Sequence, residues 1–383
     1  MTELGEIPEE WSIVTLNDLI KRIDAGVSVN SEDRVAEGNE YGILKTSAVS
    51  SNKFLPKENK AILESELDRA KLNPVSGGIL VSRMNTIEFV GACAYIDKNY
   101  NHLFIPDRLW QLVVRDGVCS RWLYYELISP KIKSLIANIA TGTSGSMKNI
   151  SKDAFKSITL HLPKTLEQQK ISSILFSVDE QIEITDNLIE KMKELKKGLM
   201  QRLLTKGIGH SRFKDTEIGR IPEEWEVRKL GEVFKVSSGN FLSQKNIVLG
   251  DYPVYGGNGI AGYHNEYLFE DSKIVIGRVG AKCGCVHISE PKSWITDNAL
   301  IISDKIIEFE DDFMFYLLNY INLNQYANQN AQPVISGQKI YELKIALPPL
   351  QEQQKIASIL SSVDDQISQY ESKKEKLQEL KKG

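Results

Sequence analysis

Cationic and amide side chains stand at matching places in two β-rich stretches of this sequence. Arg83 in VSRMN and Arg278 in IGRVG each follow a β-like run, where a side chain can project from a turn. Arg, Lys, Asn and Gln hydrogen-bond base edges or hold phosphates, so these places favour contact with a nucleic acid. The predicted DNA-binding residues are Arg83, Lys148, Asn149, Arg278, Lys282, Asn258, Gln338 and Lys339. For any one of them, an ordinary solvated loop with the arginine in a salt bridge is an equally good interpretation.

Motifs for catalysis and metal binding are missing from the sequence. It contains no G-x-x-x-x-G-K-[ST] phosphate loop, no G-x-S-x-G, no H-E-x-x-H and no kinase-like set. The five histidines are scattered without the spacing of ligands or of a catalytic triad. Of the four cysteines only Cys283 and Cys285 are close, without a second pair or nearby histidines, which favours reduced thiols. The sequence therefore predicts no catalytic residue and no metal site.

One glycine-rich stretch imitates a cofactor motif. Gly257 to Gly262 matches the dinucleotide pattern G-x-G-x-x-G. Such a site needs a helix directly after the glycines, because the helix N-terminus holds the pyrophosphate. The residues from Tyr263 onward lack helical periodicity, so we interpret the stretch as a loop that binds no cofactor.

Composition places the chain among soluble globular proteins of two or three domains. It has 383 residues, of which 42% are hydrophobic and 26% charged, and no apolar run long enough to span a membrane. The formal net charge of -4 gives no overall basic footprint. Binding to nucleic acid would therefore depend on local patches or on a basic partner.

The elements that position the candidate residues are repeated. Residues 162–198 recur without a gap at 347–383, with more than half of the residues unchanged. Each copy lacks Pro and Gly in its interior and carries apolar residues at heptad spacing, which predicts a helix on the order of 55 to 60 Å long. An ordinary core helix is the alternative, but we expect the two copies to pack along each other. The predicted helix-packing residues are Ile171, Leu175, Val178, Ile182, Ile356, Leu360, Val363 and Ile367.

A second landmark gives the chain its order. GEIPEEW at Gly5 recurs as GRIPEEW at Gly219, and each copy precedes a β-rich region and a long helix. The two regions align on Asp107 and Asp297 and then carry an aromatic helix. We predict an α+β fold with four segments: recognition regions 1–161 and 209–346, and helices with their linkers 162–208 and 347–383. Two like units tend to settle around a pseudo-two-fold axis, so we expect antiparallel helices forming a coiled coil with one region at each end.

This order resembles a specificity subunit of a Type I restriction-modification system. The resemblance rests on IPEEW at Ile7 and Ile221 and on the LP-x(3)-EQQKI-x-SIL-x-SVD helix starts at Leu162 and Leu347. It rests also on the ELKKG ends and on YPVYGGNGIAGY from Tyr252, and it covers nearly the whole chain.

The resemblance implies a role that the residues alone do not give. In that family each variable region is a target recognition domain that reads one half of a bipartite, asymmetric double-stranded DNA sequence. The paired helices set the unread gap, and the subunit is not itself an enzyme and binds no cofactor. Two modification subunits would methylate adenine with S-adenosylmethionine, and two restriction subunits would cleave the DNA with ATP and Mg. The complex would work in the cytoplasm, and no membrane would be among its partners.

Two other interpretations stay open at this point. A coiled-coil scaffold with two protein-binding heads would explain the helices and the acidic charge equally well. A stand-alone nucleotide- or base-modifying enzyme would rest on the Gly257 loop.

Overall fold

The computed structural model describes residues 8, 10–142, 147–243, 245, 247–248, 250–328 and 333–382. The chain divides into two compact units, Met1–Gln181 and Ile182–Gly383, and the division falls within one long helix. The first copy of the GEIPEEW landmark lies mostly outside the described residues, as do residues 143–146.

The first unit alternates short strands with short helices before the long helix. In chain order its elements are β1 (Ser12–Thr15), α1 (Leu16–Leu19), β2 (Ile20–Ala25), β3 (Gly42–Leu44), β4 (Asn59–Ala61), β5 (Ile79–Ser82), β6 (Met84–Asn85), β7 (Cys93–Tyr95), β8 (Leu103–Phe104), β9 (Leu109–Val114), α2 (Ser120–Ile128), α3 (Pro130–Ile139), β10 (Lys148–Asn149), α4 (Lys152–Lys156), β11 (Thr159–Leu162) and α5 (Thr165–Lys206), which continues into the second unit.

The core of the first unit lies around a four-stranded antiparallel sheet of order β2-β9-β5-β7. All four residues of β5 are buried, which is the pattern of a strand covered on both faces. Trp110, Trp122 and Phe155 are its largest buried side chains. A smaller sheet, β4-β3-β8, includes one parallel pair, and β1 pairs with β11 so that the start of the unit lies beside the strand leading into α5.

The second unit repeats much of this order. Its elements are β12 (Phe213–Thr216), β13 (Gly219–Pro222), β14 (Glu226–Lys229), α6 (Leu230–Val233), β15 (Phe234–Ser238), β16 (Tyr252–Gly256), β17 (Gly259–His264), β18 (Ile274–Gly277), β19 (Val286–Ile288), β20 (Trp294–Ile295), β21 (Ala299–Lys305), α7 (Asp311–Ile321), α8 (Gly337–Glu342), β22 (Lys344–Leu347) and α9 (Leu350–Lys382).

Its sheets correspond to those of the first unit. The main sheet has the order β15-β21-β18-β19, the smaller one has the order β17-β16-β20 with a parallel pair, and β14 pairs with β22. Trp225, Phe234 and Phe313 are fully buried in its core. The second landmark is structured as well, because β13 contains its Gly219–Pro222 part and pairs with β12.

The aromatic segment predicted as one helix is interrupted in both units. In the first, α2 ends before Ser129 and α3 begins at Pro130, whose ring disfavours a helical conformation at the residue before it. The Ser129 hydroxyl then caps α3 by accepting the N–H of Ile132. In the second, α7 ends at Ile321, and the next residue, Asn322, has the left-handed backbone conformation common at helix ends.

The two predicted long helices are present and differ in length. With 42 residues α5 is about 63 Å long, and with 33 residues α9 is about 50 Å long. Gly198 does not interrupt α5, which ends where Gly207 adopts a positive φ of 63°. The α+β class and the repeated plan are therefore confirmed.

Candidate nucleic-acid interface

A tight turn leads into the central strand β9 of the first unit. It spans residues 106–109 and is closed by a 3.2 Å hydrogen bond between its last N–H and its first carbonyl. Asp107 and Arg108 are its central residues, and the Arg83 N–H donates to the Arg108 carbonyl at 3.1 Å. Gly26 lies so close that a Cβ there would be 1.5 Å from the carbonyl oxygen just before the turn. The turn is thus fixed from two sides.

The second unit builds the same turn at residues 296–299, before β21. Its closing hydrogen bond is 3.1 Å long, and the Arg278 N–H donates to the Asn298 carbonyl at 2.9 Å. Gly239 takes the place of Gly26, because a Cβ there would be 2.2 Å from the carbonyl oxygen of the turn's first residue. The backbone positions of Asp297 and Asn298 therefore correspond to those of Asp107 and Arg108.

The Arg83 side chain is occupied by its own unit. Its Nε donates to the Asp107 carbonyl at 2.7 Å, and its Nη1 lies 3.4 Å from the Asn149 Oδ1. The Ser28 hydroxyl donates to the Asp107 carboxylate, which lies 4.0 Å from the guanidinium. Lys148 donates its Nζ to a carbonyl six residues earlier, at 3.1 Å. Three of the predicted DNA-binding residues are thus brought together, each already holding a partner.

The Arg278 side chain has a different environment. No hydrogen bond or ion pair of its guanidinium is found among the residues that the structure describes. Its carbonyl accepts the Ile335 N–H at 2.9 Å, as the Arg83 carbonyl accepts that of Ile150. Asn258 is exposed in the tight connection between β16 and β17, and the neighbouring Gly257 packs against the Asn298 carbonyl. An open cavity of about 820 Å³ lies here, lined by Asn258 and Asn298.

The remaining predicted contacts are exposed on the second unit. Gln338 and Lys339 belong to the short helix α8 instead of a loop, because Ser336 caps it by accepting the Lys339 N–H at 3.3 Å. The Lys339 ammonium lies 3.7 Å from a carboxylate of the same helix. Lys282 is exposed, and its charge adds to burial in lowering the pKa of His287.

Arg108 and Asn298 were missed by the sequence reasoning. Both are exposed, and neither side chain has a hydrogen-bond partner among the described residues. The available signal was their place directly after Asp107 and Asp297, the residues on which the two regions align.

The start of α5 is fastened to the first unit by three side chains. The Trp11 Nε1 donates to Glu167 at 3.1 Å. Gln168 accepts the backbone N–H of Cys119 at 2.9 Å and donates to the Pro163 carbonyl at 2.8 Å. The helix begins after that proline, whose carbonyl is satisfied by the glutamine.

The start of α9 is fastened in the same way with one addition. Trp225 donates to Glu352 at 2.9 Å, and Gln353 links the Glu310 N–H to the Pro348 carbonyl. His210 also reaches Glu352, with its Nε2 2.8 Å from the carboxylate. The tryptophan of each IPEEW landmark therefore anchors the first turn of a long helix.

A tyrosine of each aromatic helix contacts the long helix further along. Tyr125 donates its hydroxyl to Asp179 at 2.9 Å, and Tyr316 donates to Asp364 at 2.7 Å. Burial, together with the neighbouring carboxylate, raises the pKa of both phenols, so they remain neutral donors.

Within the second unit, the end of α5 runs antiparallel to α9. Three ion pairs join the helices, and residue numbers fall on one helix as they rise on the other. They are Lys374–Asp186 at 2.6 Å, Lys193–Glu371 at 2.7 Å and Lys196–Asp364 at 2.6 Å. Ion pairs that remain accessible to solvent contribute little energy, but the order of these three fixes the direction of the pairing. The antiparallel expectation is confirmed for this stretch.

The predicted helix-packing residues occupy different environments. They divide into Ile171 and Leu175 at the edge of the first core, Ile356 and Leu360 inside the second core, buried Val178, Val363 and Ile367, and half-buried Ile182. Ile174 and Leu195 also fall at heptad spacing, three residues after other members of the apolar series, but they are 63% and 50% exposed. The buried stripe is therefore narrower than the heptad spacing predicts, and the starts of the two helices pack on their own β-rich regions.

The glycine-rich stretch Gly257 to Gly262 is part of a β-hairpin, so its interpretation as a loop is wrong. Gly257 lies between β16 and β17, and Gly259 and Gly262 belong to β17, so the helix that a pyrophosphate site requires after the glycines is replaced by a strand. Cys283 is buried, and burial raises the pKa of its thiol.

Among the described residues, none of the helices combines the length and apolar character that crossing a bilayer requires.

Fold and site together define a tandem protein with two like β-rich modules, each fastened to one long helix. The family model described as the Type I restriction modification DNA specificity domain matches residues 8–194 and 222–382. The chain therefore belongs to the family of Type I restriction-modification specificity subunits.

Individual relatives agree with this membership. A putative Type I restriction enzyme MjaX specificity subunit from Methanocaldococcus jannaschii is 31% identical over 401 residues, covering 100% of this chain and 93% of the relative. The EcoprrI specificity subunit of Escherichia coli is 36% identical over 157 residues, covering 40% of this chain and 38% of that protein. The crystal structure of the S subunit from M. genitalium superposes with a TM-score of 0.69 at 19% identity, covering 100% of this chain and 97% of that one.

Membership has two consequences. It makes the chain a non-catalytic subunit of a larger complex, and the specificity-subunit interpretation is confirmed at that level. The scaffold with two protein-binding heads is not favoured.

Proposed function

We propose that this chain selects the DNA target of a Type I restriction-modification complex. The first unit reads one half of a bipartite, asymmetric duplex sequence and the second unit reads the other. The paired helices set the unread gap and dock the modification subunits. This proposal rests on the family to which the chain belongs and on its repeated plan.

One observation carries the proposal. The two units hold the same turn by the same backbone hydrogen bond, but present Arg108 in one and Asn298 in the other. Both side chain types recognise bases, and they prefer different ones. A shared framework with different exposed reading groups is what two modules need to read two different half-sites.

Partners supply what the chain lacks. Two modification subunits with S-adenosylmethionine would methylate adenine, and two restriction subunits with ATP and Mg would cleave the DNA. The chain itself would bind no cofactor and would work in the cytoplasm, where its substrate lies. A partner with basic surfaces would offset the net charge of -4 when the complex binds phosphates.

Long-read detection of methylated adenines in host DNA tests the function. We expect one bipartite motif with a fixed gap that disappears when the gene for this chain is deleted and returns when it is restored. Exchanging residues 12–161 for the same region of a family member should change one half-site only. Methylation that persists without the chain would refute the proposal.

A further inference from the structure

Each unit exposes, at the same backbone position, one polar side chain of a type that can hydrogen-bond a base. Arg108 and Asn298 are the third residues of corresponding turns, and each carbonyl is held by the N–H of the corresponding arginine, Arg83 or Arg278. The side chains of Arg108 and Asn298 are exposed and have no partner among the described residues. This combination of a fixed backbone and an unoccupied polar side chain sets them apart from Arg83, whose guanidinium is bonded to Asp107.

The turn backbone is prepared before any ligand arrives. Gly26 and Gly239 pack against the carbonyls at or beside the start of each turn, where even a methyl group has no room. Because the backbone of the turn is already ordered, little conformational entropy of the backbone is lost when a side chain on the turn contacts a base. Precise placement is what a bidentate hydrogen bond to a base edge requires.

The surroundings of Asn298 suit a base edge. It lines the open cavity beside Asn258 and Phe241, whose aromatic side chain is 73% exposed. Asn240, directly before Phe241, is fixed by two hydrogen bonds. Its N–H donates to the Ile295 carbonyl, and its own carbonyl accepts from the Trp294 Nε1 at 3.1 Å. Polar amides beside exposed apolar groups can contact both the polar edge of a base and its apolar parts.

We propose that Arg108 and Asn298 are corresponding specificity-determining residues, with Arg108 reading a guanine in one half-site and Asn298 reading an adenine in the other. Arginine donates two hydrogen bonds to the O6 and N7 of guanine, whereas asparagine donates to N7 and accepts from N6 of adenine. Arg83 then acts as a positioning residue that holds the turn and not as a reader. This inference rests on the proposed function and adds which residue reads which base.

Selection from a DNA library tests the assignment. The full chain, assembled with its modification subunits, is allowed to select from duplexes randomised in one half-site at a time. Arg108→Ala should lower the discrimination at one guanine position of one half-site by roughly 5- to 150-fold and leave the other half-site unchanged. Arg108→Lys should keep a weaker preference for guanine, because lysine also contacts its O6 and N7. Asn298→Ala should relax one adenine position of the opposite half-site.

Matched controls separate reading from folding. Arg69→Ala removes an exposed arginine paired with Glu66, and Asn265→Ala removes an exposed asparagine away from the turn. Neither should change any base preference.

The outcomes are distinct. A relaxed position that is not guanine for Arg108 or adenine for Asn298 overturns the assignment. So does uniform weakening on all sequences, which is the behaviour of a phosphate contact. If the unmodified complex selects no bipartite sequence at all, the proposed function itself fails, whatever the variants do.

Discussion

The two units have the same backbone arrangement around one turn, but the corresponding arginines, Arg83 and Arg278, make different side-chain contacts. Arg83 donates to Asp107 at 2.7 Å and lies against Asn149, so it joins three segments of the first unit. Arg278 keeps the backbone hydrogen bonds of Arg83, but its guanidinium has no such partner in the described part of the second unit. The backbone hydrogen bonds therefore give the two arginines the same place in the fold, whereas the contacts of each side chain depend on the residues around it.

A second difference lies at the starts of the long helices. Glu352 accepts from Trp225, from His210 and from the Ile208 N–H at 2.9 Å. Glu167 accepts from Trp11 alone among the described residues. The second anchor is thus the more strongly connected of two homologous anchors.

The largest expected effect tests what the units share. Gly26→Ala and Gly239→Ala should each destabilise the protein by more than about 3 kcal/mol, because the added methyl group would overlap backbone carbonyls that cannot move without breaking the turn. Calorimetric unfolding of the full chain measures this. Gly198→Ala is the control, since nothing lies within 4 Å of its Cβ position. Alanine should raise the free energy of unfolding there by roughly 0.5 to 1 kcal/mol, because it favours the interior of a helix over glycine. A mild effect at either turn would mean that the turn is not rigid.

Much of this shared framework could be predicted from the sequence, because it depends on local patterns. The long helices follow from apolar spacing without Pro or Gly. The strand β17 is an exception, because its first residues lie in the glycine-rich stretch for which the sequence predicts a loop. The break at Pro130 was also readable, since the residue before a proline disfavours helix. The sequence aligned Asp107 with Asp297 and so marked the turn.

The tasks of individual side chains could not be predicted, for a physical reason. Arg83 meets Asp107 and Asn149 only after segments 24 and 66 residues away have folded together. Whether an arginine is free or bonded is decided by those distant neighbours and not by its own flanks. The helix α8 is a different case, because its cap is local: Ser336 accepts an N–H only three residues further along, so this helix start could have been found in the sequence.

The second prediction concerns the helix anchors. Glu352→Ala should lower the free energy of unfolding by about 2 to 4 kcal/mol, because it leaves the buried Trp225 Nε1, His210 and the Ile208 N–H without their acceptor. Glu167→Ala should cost about 0.5 to 1.5 kcal/mol, since it loses one hydrogen bond. Chemical denaturation of both variants, with Glu352→Gln as an intermediate case, measures the difference. Equal losses would show that His210 and the Ile208 N–H add nothing to the second anchor.

The third prediction concerns the two arginines. Arg83→Ala should destabilise the protein by about 1 to 2 kcal/mol, because the Asp107 carbonyl and the Asn149 amide lose a charged donor. Arg278→Ala should change stability by less than about 0.5 kcal/mol, because its guanidinium has no hydrogen bond or ion pair to lose among the described residues. Thermal unfolding compares them side by side. The contrast between the units would collapse if Arg278→Ala cost as much as Arg83→Ala.

The smallest effect concerns pH and the residues that precede the aromatic helices. Cys119 and Glu310 hold corresponding positions, because each donates its N–H to the glutamine at the start of a long helix. Burial raises the pKa of the Glu310 carboxyl, although its contact with the Phe313 N–H works in the opposite direction. A carboxyl whose pKa is higher in the folded state binds a proton more readily there, so its contribution to stability is present at low pH and is lost as pH rises through the folded pKa.

Glu310→Gln should remove this dependence from the second unit. The stability of the variant relative to the unmodified protein should therefore increase as pH rises from about 4 to 7, by well under about 1 kcal/mol because the carboxyl is partly solvated. Cys119→Ser is the matched variant in the first unit and should show no change in relative stability over this range, because it removes no carboxyl group. Urea unfolding at several pH values decides the point. A relative stability that falls with rising pH would mean that the hydrogen bond to Phe313 outweighs burial, and that the two units do not differ in the way their Cys and Glu side chains suggest.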